Sequence, residues 1–214
     1  WRQTTGRDHQ RMSLPHAVII AGGGGARLGG VRKADLRVGG LRQLDRVLAV
    51  LGDVARPILV ASGPPGQRIA LPAGCDAVPD RDSPMAGPLA GLAAAVARLA
   101  ESGITTGLLV SVAVDTPFLT VDFVPRMIAG LGNAPGVYAA WGEDFYPPNA
   151  LWRIEALQNL PTGLARPDAP ASLKALQRSL DLRRVDWTDD HDTNPFANIN
   201  TLADLVALQR HTMR

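Results

Sequence analysis

Residues Ala17 to Lys33 read AVIIAGGGGARLGGVRK, and this stretch decides the fold. Val18, Ile19 and Ile20 make a short β-branched apolar run that ends in four consecutive glycines, Gly22 to Gly25. The pattern predicts a buried strand that feeds a loop almost without side chains. Such a loop lets main-chain N–H groups converge closely on a ligand, and concave arrays of N–H favour phosphate oxygens. Arg27 and Lys33 add cations beside that cradle, so the expected ligand is anionic.

Two common glycine loops are excluded. Gly25 and Gly30 have the glycine spacing of a Walker A loop, but Val31-Arg32 follows where Lys-Ser/Thr is required. A dinucleotide fingerprint needs G-x-G-x-x-G opening a long helix; here Arg27 stands at the third glycine, and Gly29-Gly30 and Gly39-Gly40 interrupt any early helix. The 214 residues suit one α/β domain with an aliphatic core. A net charge of +2 without a dense basic block gives no nucleic-acid footprint. Cys75 is the single cysteine, which excludes an internal disulfide and leaves no cysteine metal motif; it reads as a small hydrophobe at a strand start. The apolar runs fall short of the roughly 20 residues of a membrane span, so a soluble, cytoplasmic protein without membrane contact is expected. Residues 1–12 read as an N-terminal extension or cloning remnant, with Met12 as a start, and 13–214 as the functional domain. Among 22 basic residues only Lys33 and Lys174 are lysine, which suggests that the glycine loop wants a compact ammonium.

Outward from the loop, the leucines and valines of 42–51 recur at helical spacing, and Pro57 to Ala61 and Cys75 to Pro79 are strand candidates. The second of these delivers Asp80 to its carboxyl end. A helix rich in small residues is expected over Leu89 to Glu101. Gly107 to Val114 is the longest apolar run and reads as a central parallel strand. It ends at Asp115-Thr116-Pro117, where open α/β sheets bind ligands, and a hard carboxylate there can hold Mg²⁺ against phosphates. A helix over Val121 to Leu131, strands over Gly136 to Trp141 and Phe145 to Arg153, a mobile Pro/Gly/Ala connection at 161–170, a Ser172-capped helix to Leu180 and a strand at Val185 to Trp187 complete the pattern. Trp141 and Trp152 read as sheet packing, and His191 as a solvated loop residue. Asn198 and Asn200 alternate, so both amides face one side of an extended segment before a helix starting near Thr201. The fold class is α/β: a single Rossmann-like, three-layer domain with a mostly parallel central sheet.

The loop from Ile20 to Lys33, I-A-G-G-G-G-A-R-L-G-G-V-R-K, resembles the L-A-G-G-x-x-x-R-M-G-G-x-D-K signature of molybdenum cofactor guanylyltransferases, with Leu28 for methionine and Arg32 for aspartate. Asp80 followed by Gly87-Pro88-Leu89-Ala90-Gly91, the Asp115-Thr116-Pro117 motif and Phe196-Ala-Asn198-Ile-Asn200-Thr201 are similar to further motifs of that family. The resemblance implies a fold of the nucleotide-diphospho-sugar transferase type. It implies transfer of GMP from GTP to molybdopterin, with Mg²⁺ as cofactor. It places Ile20, Ala21, Gly22, Gly23, Lys33, Asp80 and Asp115 at the GTP, Arg27, Lys33 and Asp115 at the chemistry, Asp115 on the metal, and Asn198 and Asn200 on the pterin side. Molybdoenzymes or cofactor-insertion chaperones would be the onward partners.

The family's asparagine at the end of the second strand is Ala61 here, so GTP and CTP both stay open as donors. Cytidylyl transfer, guanylyl transfer to another small phosphorylated acceptor, and a non-catalytic molybdopterin carrier are the alternatives. A dinucleotide-dependent oxidoreductase would need an acidic ribose ligand where Ala61-Ser62-Gly63 stands.

Overall fold

The computed structural model describes residues 13–22, 31–66, 68–80 and 87–198. Its centre is β1 (His16–Ile20), flanked by β4 (Ile58–Gly63) and β6 (Leu108–Ala113), both parallel to it. All six β4 residues and five of six in β6 are buried, as expected of strands covered on both faces. β5 (Cys75–Pro79) extends the parallel set on one side. On the other side β8 (Asp144–Arg153) runs antiparallel between β6 and β7 (Gly136–Trp141), and β9 (Arg183–Asp186) closes that edge parallel to β7. The seven-stranded order is β5-β4-β1-β6-β8-β7-β9, and β8 alone runs against the rest. The expected three-layer α/β fold is therefore present.

The pleat of β1 splits the core in two, because successive side chains point to opposite faces. Ala17 and Ile19 face α1 (Gln43–Val50) and α3 (Phe123–Leu131), with Leu44, Val47, Phe123 and Trp187 packed on the same side. Val18 and Ile20 face α2 (Pro88–Glu101), whose alanines let it lie close to the sheet. At the closest point an ideal Cβ on Gly91 would lie 2.8 Å from the Ala61 Cβ. A methyl at position 91 would therefore push the helix off β4.

Several local expectations change. A 3₁₀ turn, Lys33–Asp35, follows the glycine loop and precedes the two-residue strands β2 (Arg37–Val38) and β3 (Leu41–Arg42). The Pro/Gly-rich connection is not a free loop. A 3₁₀ turn, Ile154–Leu157, leads up to it, α4 (Leu160–Gly163) takes in its first residues, and Leu157, Leu160 and Leu164 are buried under α2. Burial of Leu160 and Leu164, on either side of Pro161 to Gly163, outweighs the helix-breaking composition between them. α5 (Leu173–Ser179) begins where expected, with the Ser172 hydroxyl accepting from the Ala175 N–H at 3.2 Å. Trp152 is fully buried and donates from Nε1 to the Ser111 hydroxyl at 2.9 Å. Cys75 starts β5, half-buried. His191 is not simply solvated, since its Nε2 lies 3.4 Å from Asp122 Oδ2. Among the described residues, no helix is long and apolar enough to cross a membrane.

Candidate active site

The carboxyl ends of β1, β4, β5 and β6 meet at one edge of the sheet. The chain enters this edge at β1, fills β4 and β5 on one side, then crosses to β6 on the other, so β1 and β6 border a topological switch point. Hydrogen bonds carry the strand alignment past the last paired residues. Ala21 N–H donates to Ala61 O at 2.9 Å, Asp80 N–H to Gly63 O at 2.9 Å, and Val114 N–H to Ile20 O at 3.1 Å. The three segments that follow these strands are thereby held side by side.

Gly22 shows why its position requires glycine. An ideal Cβ there would sit 3.0 Å from both the Cα and N of Gly63, so any side chain would wedge β1 from β4 at the ligand edge. Gly63 itself has φ of +83°, a conformation that side-chain-bearing residues rarely adopt. Ile20 and Ala21 are buried immediately beneath this edge. Gly23, Arg27 and Asn200 lie outside the described residues.

Lys33 and Asp115 are 82 positions apart in the chain, yet Lys33 Nζ lies 2.5 Å from Asp115 Oδ2. The lysine comes from the 3₁₀ turn that follows the glycine loop, anchored by fully buried Ala34; the aspartate comes from the end of β6. Their side chains are 28% and 14% exposed, partly desolvated but open to a ligand. Neighbouring Arg32 donates to the Arg68 carbonyl and so serves as a clasp between loops.

Asp80 sits at the end of β5 and is 9% exposed, and its Oδ1 is buried without a hydrogen-bond partner among the described residues. Burial pushes its carboxyl above the ordinary carboxylate range. A folded-state value above the unfolded one makes the Asp80 contribution to stability fully present below the unfolded value and lost as pH rises through the folded one. Asp80→Asn is therefore expected to flatten the fall in stability on raising pH from the ordinary carboxylate value upward, measured by urea denaturation across that range. A variant with an unchanged slope would show that Asp80 does not carry it.

Asn198 is exposed and follows Phe196, which is fully buried against Tyr146, Trp187 and Phe123. The end of this segment is thus pinned to the α3 face of the sheet, beside the start of β8. The sequence reading missed a set of buried polar residues at the β6–β8 end, Ser111, Thr116 and Asn149. A signal was available: Asn149 follows two prolines inside an otherwise apolar strand, the composition of a bulge.

The donor chemistry fits one kind of metal. Among the described residues no group of three or more His, Cys, Asp or Glu side chains converges to hold an ion. Mg²⁺ commonly keeps several waters and takes only one or two carboxylates together with substrate phosphates. The Asp115 carboxylate at the strand end could fill that role.

Residues 17–186 match the model of the MobA-like NTP transferase domain. The chain is 39% identical over 196 residues to a molybdenum cofactor guanylyltransferase of Acidiphilium cryptum, covering 90% of this chain and 93% of the relative. It is 36% identical over 190 residues to one of Rhodobacter capsulatus, covering 88% and 92%. Among solved structures, molybdopterin-guanine dinucleotide biosynthesis protein A of Archaeoglobus fulgidus superposes with a TM-score of 0.71 at 17% identity, covering 94% of this chain and 99% of that one. The 4-diphosphocytidyl-2C-methyl-D-erythritol synthase of Anaerococcus prevotii gives 0.67 at 14%, covering 94% and 97%. These two likenesses establish the shared fold. With a family match across most of its length and relatives this similar over nine-tenths of it, the chain belongs to the MobA-like NTP transferase family, as a nucleotidyltransferase alongside the molybdenum cofactor guanylyltransferases.

Proposed function

We propose that the protein transfers GMP from GTP to the terminal phosphate of molybdopterin. An oxygen of the acceptor phosphate attacks the α-phosphorus of GTP, the bond to the β-phosphate oxygen breaks, and pyrophosphate leaves with the electron pair. No covalent intermediate on the protein is required. The observation that carries this reading is the Lys33–Asp115 pair at the switch point of the sheet.

Gly22 and Gly23 bring main-chain N–H groups to the triphosphate, and Lys33 and Arg27 offset charge that builds on the α-phosphate and on departing pyrophosphate. Asp115 would hold Mg²⁺, which when bound neutralises phosphate charge and favours in-line displacement. Asp80 would serve the nucleoside, and Asn198 and Asn200 would serve the pterin side. Ala61 is buried against Gly91 and offers no amide to a base, so base choice falls to the remaining groups at this edge.

Calorimetric titration of GTP, CTP and ATP, with and without Mg²⁺, into wild type and Asp115→Asn tests the reading. The expected result is Mg²⁺-dependent binding of GTP, weakened about tenfold in the variant. Preference for CTP would move the protein to cytidylyl transfer. Absence of any triphosphate binding would favour a molybdopterin carrier.

A further inference from the structure

We infer that Asn149 is a positioning residue for Asp115, holding the end of β6 through a side-chain bond that replaces a missing rung of the sheet. The inference rests on the reading of Asp115 as the metal-side carboxylate.

The β6–β8 ladder pairs Leu108 with Arg153 through Ser111 with Ala150, and there it stops. On the other edge of β8 the register with β7 jumps from Tyr138 opposite Ala150 to Ala139 opposite Tyr146. Pro147, Pro148 and Asn149 are therefore thrown out of the ladder as a bulge. Neither proline has an N–H to give, and the bulge withdraws the carbonyl that an uninterrupted strand would offer to the end of β6. The Ala113 amide lies two residues beyond the last rung. It donates instead to Asn149 Oδ1 at 2.8 Å, and Asn149 is 1% exposed.

The other bonds around this point belong to the same device. The Ala113 carbonyl accepts from Thr116 Oγ1 at 2.7 Å, and Val114 N–H donates to Ile20 O at 3.1 Å. Residues 113, 114 and 116 are each fixed, and Asp115 is the residue between them. Of these bonds, the one from Asn149 alone comes from outside β1 and the turn itself. It ties the turn to β8, the strand whose start borders the segment that carries Asn198. Buried bonds of this kind leave few alternative positions for the carboxylate.

A buried asparagine that merely supports the sheet would behave like Ser111, which accepts from Trp152 Nε1 four residues before Asp115. That contrast supplies the control. Mg²⁺ is titrated at fixed GTP with binding as the readout, and amide exchange at Ala113 is followed by NMR without ligand. Asn149→Leu is expected to expose the Ala113 amide to exchange and to raise the Mg²⁺ midpoint about tenfold. Asn149→Asp keeps an acceptor oxygen and is expected to restore both. Ser111→Ala is expected to lower the melting temperature and leave the Mg²⁺ midpoint in place. Asn149→Ser, too short to reach the amide, replaces the leucine variant if that chain does not fold, with the same expected shift. A wild-type midpoint in the asparagine variants, with Asp115→Asn displaced, would overturn this inference alone. A wild-type midpoint in Asp115→Asn would overturn the metal reading and the inference with it.

Discussion

Lys33→Ala is expected to lower kcat/KM for nucleotidyl transfer about 10² to 10³-fold, the range seen when one preorganised charge-stabilising donor is removed. The lysine is well placed for such an effect. It leaves the glycine loop on a 3₁₀ turn whose next residue, Ala34, is fully buried, so the stem of the side chain has a fixed origin. Its ammonium already meets Asp115 Oδ2 at 2.5 Å. Triphosphate oxygens arriving at this edge would meet a cation held in place before binding, with little reorganisation left for the reaction itself. Lys33→Arg should recover only part of the loss, because a planar fork cannot occupy the place of a compact ammonium beside the same carboxylate. Pyrophosphate release from GTP and molybdopterin, followed in steady state, measures the effect, and wild-type turnover in Lys33→Ala would remove the residue from the mechanism.

Phe196→Ala is expected to cost about 3–5 kcal/mol of stability, the usual penalty for emptying a buried aromatic site. The Phe196 ring centroid lies 5.0 Å from Trp187, 5.2 Å from Tyr146 and 6.1 Å from Phe123, and all four rings belong to different segments. Asn194 strengthens the junction. Its Oδ1 accepts from Phe196 N–H at 2.9 Å while its Nδ2 donates to the Tyr146 hydroxyl at 2.5 Å. For a chain of this size the melting temperature should fall on the order of 10 °C. Because Asn198 is two residues away, the surviving folded enzyme should lose acceptor affinity more than GTP affinity. Thermal denaturation and KM for the two substrates check both parts, and a melting temperature within a degree of wild type would rule out the anchoring role.

Strands β1, β4 and β6 were legible because each carries an apolar run closed by punctuation. Gly22 follows β1 and Asp115 follows β6, each at the end of an apolar run that the pattern reads as a strand. The contact of Lys33 with Asp115 could not be read from local spacing, since it depends on two strands lying side by side across 82 residues. The start of the 161–170 connection was misread because proline and glycine report backbone preference, whereas Leu164 within it and Leu160 just before it act through burial under a helix distant in sequence. The role of Asn149 was hidden for a related reason: its partner amide belongs to another strand, and an asparagine among prolines looks like an ordinary turn until the register of both neighbouring strands is known.

The lone reversed strand gives the ligand edge two unlike halves. Where β1 and β4 end, Gly22 lies against Gly63 and leaves no room for added bulk. Where β7 turns into β8, the edge is a hairpin tip at Gly142 and Glu143, tied back to the body by Gly142 N–H donating to the Thr188 hydroxyl at 2.8 Å. Insertions and deletions at such a tip change reach without disturbing strand order or core. Loop length on the hairpin side can therefore change at little cost to the sheet, whereas a side chain added at Gly22 would meet the backbone of β4.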